Sequence, residues 1–344
     1  MAEVLKPSVL RKGDTIGLFA PAGPLATPDV LSEGAEIIQK TGFKVTYSDD
    51  IYAKNNYLAG SDERRIEEFR RLWLDEEIKA LIGVRGGYGS IRLLAGLNME
   101  EVRNHPKVLM GFSDLTVLLN GIQAKTSLVT FHGPMLSTLV RDNKAELSSS
   151  SDQTKLMPLR YKAELSSSSD QTKLMPLRSR MSAFGDCLQI LTNPIPDNIS
   201  SPKIQIARPG QASGRIMGGN LTNLVHLLGT DFEPDWHGAI LFLEDIHEPA
   251  YKIDRMLTQL KLSGRLDLVS GILLGGFLTK RCEEIADMPL VIERVIELTK
   301  SHVPIWTHFP ASHGPENRII PIGISAAMDS ASKTISFAES FLQG

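Results

Sequence analysis

The chain has 344 residues, enough for two domains with their own cores, and its 42 % hydrophobic and 22 % charged content is that of an ordinary soluble globular protein. A formal net charge of -3 without a basic stripe argues against a nucleic-acid partner, and no apolar run reaches the roughly 20 residues that span a bilayer. Met1 to Pro7 lacks a signal peptide's apolar core, and the two cysteines, Cys187 and Cys282, have no ligand spacing around them, so a cytosolic protein with reduced thiols and no metal site is expected.

The first 135 or so residues alternate strand and helix signals. Thr15 to Ala20 is a short apolar strand that breaks at Pro21-Ala22-Gly23-Pro24. Thr27-Pro28 opens a helix with a cap residue followed by proline, and Thr41-Gly42 closes it. Lys44 to Tyr47 reads as a strand. Ser61-Asp62-Glu63-Arg64 begins a charged amphipathic helix with Ile66, Phe69, Leu72 and Trp73 on its buried face. Ile78 to Val84, Lys107 to Met110 and Leu128 to Phe131 are further strands. Strands separated by helices imply an α/β domain with a parallel sheet covered on both faces, whose ligands gather at the strands' carboxyl ends.

From Arg141 to Arg178 the texture changes. Lys144 to Arg160 recurs letter for letter as Lys162 to Arg178, with Tyr161 between the copies. Two identical copies do not make a solenoid; they point to a recent tandem duplication or a cloning artefact, and four consecutive serines predict a mobile surface loop. Pro158, Pro194, Pro196 and Pro202 mark a connection between units. Beyond it, Ser213 to Met217 reads as a strand, Asn220 caps the helix Leu221 to Leu228, and Ala239 to Leu243 is a buried strand ending at Glu244-Asp245. Helix signals cover Tyr251 to Leu262 and Glu283 to His302; strand signals cover Val269 to Phe277, Pro304 to Thr307, Ile322 to Met328 and Thr334 to Phe337.

Four places carry chemistry. In Gly111-Phe112-Ser113-Asp114 a serine stands between a strand and a helix, so a tight turn pushes its hydroxyl outward and the following amide can stabilise an oxyanion; the bland alternative is a helix cap. A side chain at Gly111 would crowd that turn. Val84-Arg85-Gly86-Gly87-Tyr88-Gly89-Ser90 is a glycine loop without the dinucleotide pattern or a P-loop lysine; its amides suit an oxyanion, with a plain tight turn as the alternative, and Arg85 can fork onto a substrate carboxylate or form an exposed salt bridge. Glu244-Asp245 ends a strongly apolar strand, where a carboxylate can orient a histidine or cap the next helix. His313, in Phe309-Pro310-Ala311-Ser312-His313-Gly314, has no packing reason to sit in a Pro/Gly loop and is a candidate base; His132, before Gly133-Pro134, is its nearest rival.

Gly13-Asp14-Thr15-Ile16 with Ala20 to Pro24, Arg85 to Gly89, Gly111 to Asp114, His132-Gly133-Pro134-Met135, Gly218-Gly219-Asn220-Leu221, Leu243-Glu244-Asp245, Tyr251-Lys252-Ile253-Asp254-Arg255 and His313 together resemble the LD-carboxypeptidases. These are serine peptidases whose family also holds the microcin C self-immunity peptidases. The resemblance runs along nearly the whole chain except the duplicated stretch. It implies a nucleophile domain over 1–140 that is flavodoxin-like and similar to class I glutamine amidotransferases. A linker over 141–200 and a mixed α/β, barrel-like domain over 201–344 carrying acid and base would follow.

The resemblance further implies a cytoplasmic homodimer without cofactor or metal that releases the terminal D-alanine from murein tetrapeptides in cell-wall recycling. By motif position the nucleophile is Ser113, the base His313 and the orienting acid Glu244. Oxyanion donors are then the amides of Asp114 and the Gly86-Gly87 turn, with Arg85 and Tyr88 contacting substrate. A microcin-type peptidase would need aromatics to stack a base. The stretch from Arg141 to Ser201 holds only Tyr161 and Phe184, which favours the murein branch. An inactive muropeptide-binding protein is the reading outside the enzyme class.

Overall fold

The computed structural model describes residues 3–140, 188–193, 198–279, 281–314 and 316–344. The duplicated stretch, Phe184, Cys187, Pro194 and Pro196 lie outside the described residues. Strands β1 (Thr15–Phe19), β2 (Lys44–Tyr47), β3 (Ile78–Gly83), β4 (Val108–Gly111) and β5 (Thr130–His132) alternate with helices α1 (Pro28–Lys40), α2 (Asp62–Leu74), α3 (Met99–Asn104) and α4 (Thr116–Thr126). The second half contributes β6 (Ile199–Ser200), β7 (Gln205–Arg208), β8 (Gln211–Asn220), β9 (Ile240–Ile246), β10 (Gly271–Leu278), β11 (Ile305–Thr307), β12 (Ile320–Ile322), β13 (Ser325–Asp329) and β14 (Thr334–Phe337).

The first sheet has the order β2-β1-β3-β4-β5-β12. Its first five strands are parallel, as the alternating pattern requires. The sixth strand, β12, comes from the carboxyl-terminal part of the chain and runs antiparallel to β5, with Ile320 opposite His132. Pro321 is tolerated there because β12 is an edge. Side chains alternate between two buried faces: Ala80, Ile82, Val108 and Met110 enter one apolar cluster and Leu81 and Leu109 the other. The order in which successive strands are added switches sides between β1 and β3, the kind of point beyond which doubly wound sheets take their ligands.

The second sheet, β6-β14-β13-β8-β9-β10-β11-β7, is mixed and curls into a half-barrel. Its β8 to β11 are parallel to one another, and the remaining pairs are antiparallel. Ile240, Phe242, Leu273 and Trp306 face one core, while Leu241, Leu243, Ile272 and Leu274 face helices Ala250–Leu262 and Met288–Leu298. That second cluster continues without a break into the α4 side of the first sheet through Val117, Leu118 and Leu221.

The two sheets are also joined by polar contacts at α4. Asn120 donates from Nδ2 to the Gly218 carbonyl (2.9 Å) and accepts from the Gly218 amide (3.0 Å). The Asn220 amide donates to Thr116 Oγ1 at 3.1 Å. A Cβ at Gly219 would lie 2.7 Å from that same oxygen, so only glycine admits this approach.

Two local expectations change. Ile66 is only partly buried, and Arg65 takes its place on the inner face of α2, wholly buried beside Phe69 and Leu72. The acids Glu244 and Asp245 lie within β9, which runs on to Ile246, and helix Ala250–Leu262 starts after Pro249, so Asp245 does not cap it. Cys282 is an exposed free thiol. Among the described residues no helix is long and apolar enough to cross a membrane.

Candidate active site

β4 ends at Gly111, Phe112 is extended, and Ser113 turns the chain with φ +60° into the short 3-10 turn Ser113–Leu115 and then α4. A positive φ is uncommon for a residue with a side chain and costs about 1–3 kcal/mol, so the surrounding packing enforces it. Gly111 is part of that packing: a Cβ there would sit 2.3 Å from Leu115 Cδ2. The first amides of the turn precede any helical acceptor. That of Asp114 makes no hydrogen bond to a described residue.

The glycine loop meets this elbow directly. A Cβ at Gly86 would lie 3.0 Å from both Cβ and Oγ of Ser113. The Gly86 carbonyl accepts from the Gly23 amide (3.2 Å) and from Arg85 Nε (3.2 Å), which turns it toward the Pro21-to-Pro24 loop. A trans planar peptide then aims the Gly87 N–H the opposite way. It too bonds to no described residue. Arg85 also donates from Nη1 to the Pro24 carbonyl at 2.9 Å, so much of its guanidinium holds the two loops together. Tyr88 is 47 % exposed beside Tyr57, whose ring centroid lies 5.8 Å away.

His313 and Glu244, 69 positions apart in sequence, meet: Nδ1 lies 2.7 Å from Glu244 Oε2, with side-chain exposures of 6 % and 0 %. The His313 loop is closed by the Ala311–Asn317 bridge and by the Arg318 amide donating to the Pro310 carbonyl. It lies on Gly275 and Gly276 of β10, where a Cβ would come 2.2 Å from the Ala311 carbonyl and 2.9 Å from Ser312 Oγ respectively. A register shift between Leu274 and Phe277 marks the same place in the strand. With Nδ1 on the carboxylate, Nε2 is the nitrogen left for proton transfer. The Phe112 ring, next in sequence to Ser113, touches the His313 ring with centroids 4.7 Å apart. Ser113 and His313 share no direct hydrogen bond here, a bond that catalytic pairs often complete only with substrate bound.

His132 lies beneath this pair and wholly buried, edge-on to Phe112 and Phe242. Burial pulls its pKa down to about 4; the Glu244 charge raises it, His313 lowers it further, and the Asn317 amide raises it. It is therefore neutral at pH 7, and the carboxylate is paired with His313 instead. Asp245 is pushed up to about 6 by burial and by the neighbouring Glu244 charge, against donors from Thr222 and Ile246. Asn220 Nδ2 (3.0 Å) and the Thr222 amide (2.9 Å) complete its shell, so Asp245 ties β8 and the helix Leu221–Val225 to β9.

Sequence reasoning missed Arg65 and the Asp114 carboxylate. Arg65 had a signal: its spacing to Phe69 and Leu72 puts it on the apolar stripe of α2. The Asp114 side chain had none, because its partner, the Ser90 amide, is 24 positions away.

Comparison with known proteins agrees with this architecture. Residues 16–133 match the LD-carboxypeptidase N-terminal domain and residues 213–328 its C-terminal domain. The chain is 35 % identical over 332 residues to the probable murein peptide carboxypeptidase of Bacillus subtilis (strain 168), covering 96 % of this chain and 93 % of that one. It is 29 % identical to the microcin C7 self-immunity protein MccF of Escherichia coli over 97 % of this chain and 95 % of that one. The crystal structure of muramoyltetrapeptide carboxypeptidase from Oxalobacter formigenes superposes with a TM-score of 0.70 at 25 % identity, covering 93 % and 97 % of the two chains. With both domains matched in order and a relative 35 % identical over almost the whole chain, the chain belongs to the LD-carboxypeptidase family.

Proposed function

We propose that the protein is a serine carboxypeptidase that hydrolyses the amide joining the L-centre of the third residue to the terminal D-alanine of a murein tetrapeptide. The observation that carries this reading is the buried Glu244–His313 pair, whose imidazole touches Phe112, the residue just before a serine held at positive φ. His313 takes the Ser113 proton through Nε2 as Oγ attacks the carbonyl carbon. The oxyanion is received by the amides of Asp114 and the Gly86-Gly87 turn, each worth about 3 kcal/mol of barrier. His313 gives the proton to the leaving amine of D-alanine; water, activated by the same imidazole, then cleaves the acyl ester and restores Ser113. Glu244 keeps Nδ1 protonated and the ring oriented throughout. Arg85 and Tyr88 line the approach and meet the substrate's peptide end.

In this reading 1–140 is the nucleophile unit, 141–200 the connection and 201–344 the unit carrying acid and base. Strand β12 passes from the last unit into the first sheet. The order β2-β1-β3-β4-β5 supports taking that sheet as flavodoxin-like, in the manner of class I glutamine amidotransferases. The enzyme acts without metal or cofactor, as a cytoplasmic homodimer in wall recycling.

Likeness to the microcin self-immunity protein supports a second reading, cleavage of an aminoacyl-nucleotide conjugate. Incubating the enzyme with a defined murein tetrapeptide and with such a conjugate, with mass spectrometry of the products, tests both. D-Alanine release that Ser113→Ala abolishes is expected. Release that survives Ser113→Ala removes the serine from the mechanism, and cleavage of the conjugate alone selects the second reading.

A further inference from the structure

An oxyanion site made of backbone amides is only as good as the positioning of its loop, and Gly86-Gly87 belongs to no helix or strand. The loop is held from behind by two buried charges of α2 and the elbow. The Asp114 carboxylate, 1 % exposed, accepts from the Ser90 amide at 2.8 Å. Arg65, wholly buried, donates from Nη1 to the Gly89 carbonyl at 3.0 Å and to the Pro21 carbonyl, and from Nη2 to Asp62. Pro21 begins the second loop, which grips the glycine turn at its other end through the Gly23 amide on the Gly86 carbonyl. Neighbouring Glu68, 4 % exposed, fixes that second loop at its root by accepting from the Ala20 amide at 2.9 Å.

Burying charge this deep is costly unless the partners are fixed. Here the partners are the Asp62 carboxylate and backbone groups at the carboxyl end of the glycine turn and at the start of the loop that grips it. We propose that Arg65 and Asp114 are positioning residues that set the Gly86-Gly87 peptide against Ser113 from the side remote from substrate. Asp114 couples the two oxyanion donors: its own amide is one, and its carboxylate anchors the loop that carries the other. The inference rests on the triad reading given above. Burial pushes the Asp114 carboxyl up, while the Ser90 and Gly89 amides and the Arg65 charge hold it down, so its anchoring form depends on those partners.

The test compares Asp114→Ala, Asp114→Asn, Arg65→Met and Arg65→Lys with the wild-type protein. The readouts are kcat and KM on a murein tetrapeptide, labelling of Ser113 by a fluorophosphonate, and affinity for a peptide boronic acid that mimics the tetrahedral oxyanion. Displacing the loop by about 1 Å lowers kcat about 100-fold in Asp114→Ala and Arg65→Met with KM within about threefold, and weakens boronate binding in parallel. Asp114→Asn and Arg65→Lys, which keep shape or charge, recover part of that loss. If the harsher variants do not fold, the conservative pair carries the test, with about a 10-fold fall in kcat expected. Variants with lowered Tm but wild-type kcat and boronate affinity overturn the inference alone. A wild-type protein that the fluorophosphonate does not label at Ser113 removes the triad, and the inference with it.

Discussion

Asn120 and Gly218 exchange a reciprocal pair of hydrogen bonds, amide side chain to backbone, at 2.9 and 3.0 Å across the junction of the two sheets. Asn120 lies two turns along the helix that Ser113 introduces, and Gly218 lies two residues before the position that pairs with Glu244 in the neighbouring strand. That side chain thus helps to fix the spacing between Ser113 and the Glu244–His313 pair. In Asn120→Leu both Gly218 groups lose their partners in a buried site, a cost of about 2–5 kcal/mol. Urea unfolding is expected to show that loss, with kcat falling even where the variant is fully folded. An unchanged kcat in the folded variant would show that the junction carries stability only.

Glu244→Gln preserves shape but removes the charge opposite His313 Nδ1. Loss of the oriented tautomer costs about 10⁴-fold in kcat with little change in KM. His313→Ala is expected to fall as far, and the double variant no further, because the two act as one unit. Steady-state D-alanine release measures all three, and additive losses would separate the residues.

Two glycines near Ser113 give opposite signatures when enlarged. Gly86→Ala puts a methyl 3.0 Å from the Ser113 hydroxyl, so kcat drops about 100-fold while Tm moves little. Gly111→Ala drives its methyl to 2.3 Å from Leu115 in a packed turn, an overpacking cost of about 1–3 kcal/mol. Paired thermal melts and rate measurements distinguish them.

His132 titrates at about 4 in the fold against 6.5 when unfolded. Between these values the unfolded chain binds the proton and the native one does not. Its contribution is therefore present above pH 6.5 and is lost as pH falls through about 4, about 3 kcal/mol in full. Asp245, raised from 3.8 to about 6, works against this: its contribution is present below pH 3.8 and is lost as pH rises through about 6. The wild-type profile partly cancels, so the informative quantity is the stability difference between wild type and His132→Leu. It is expected to shift in favour of the wild type by about 3 kcal/mol from pH 4 to pH 6.5. A flat difference would mean that His132 is protonated in the fold.

Much of this was legible locally. The Ser61 and Asn220 caps, the parallel strands β1 to β5 and the crowding at Gly111 follow from periodicity and backbone sterics within a few residues, and the structure contains each of them. Ser113 was singled out the same way, since a strand-to-helix turn is a local event.

Other features had no local signature. The pairing of His313 with Glu244, the return of β12 to the first sheet, the grip of Asn120 on Gly218 and the choice of the Gly89 and Pro21 carbonyls as partners of Arg65 all join distant segments. Short-range preferences are set by φ/ψ and side-chain spacing, which a linear string displays. Which loop lies over which strand is set by how the two sheets dock and share one apolar core, and that exists only once the chain has folded.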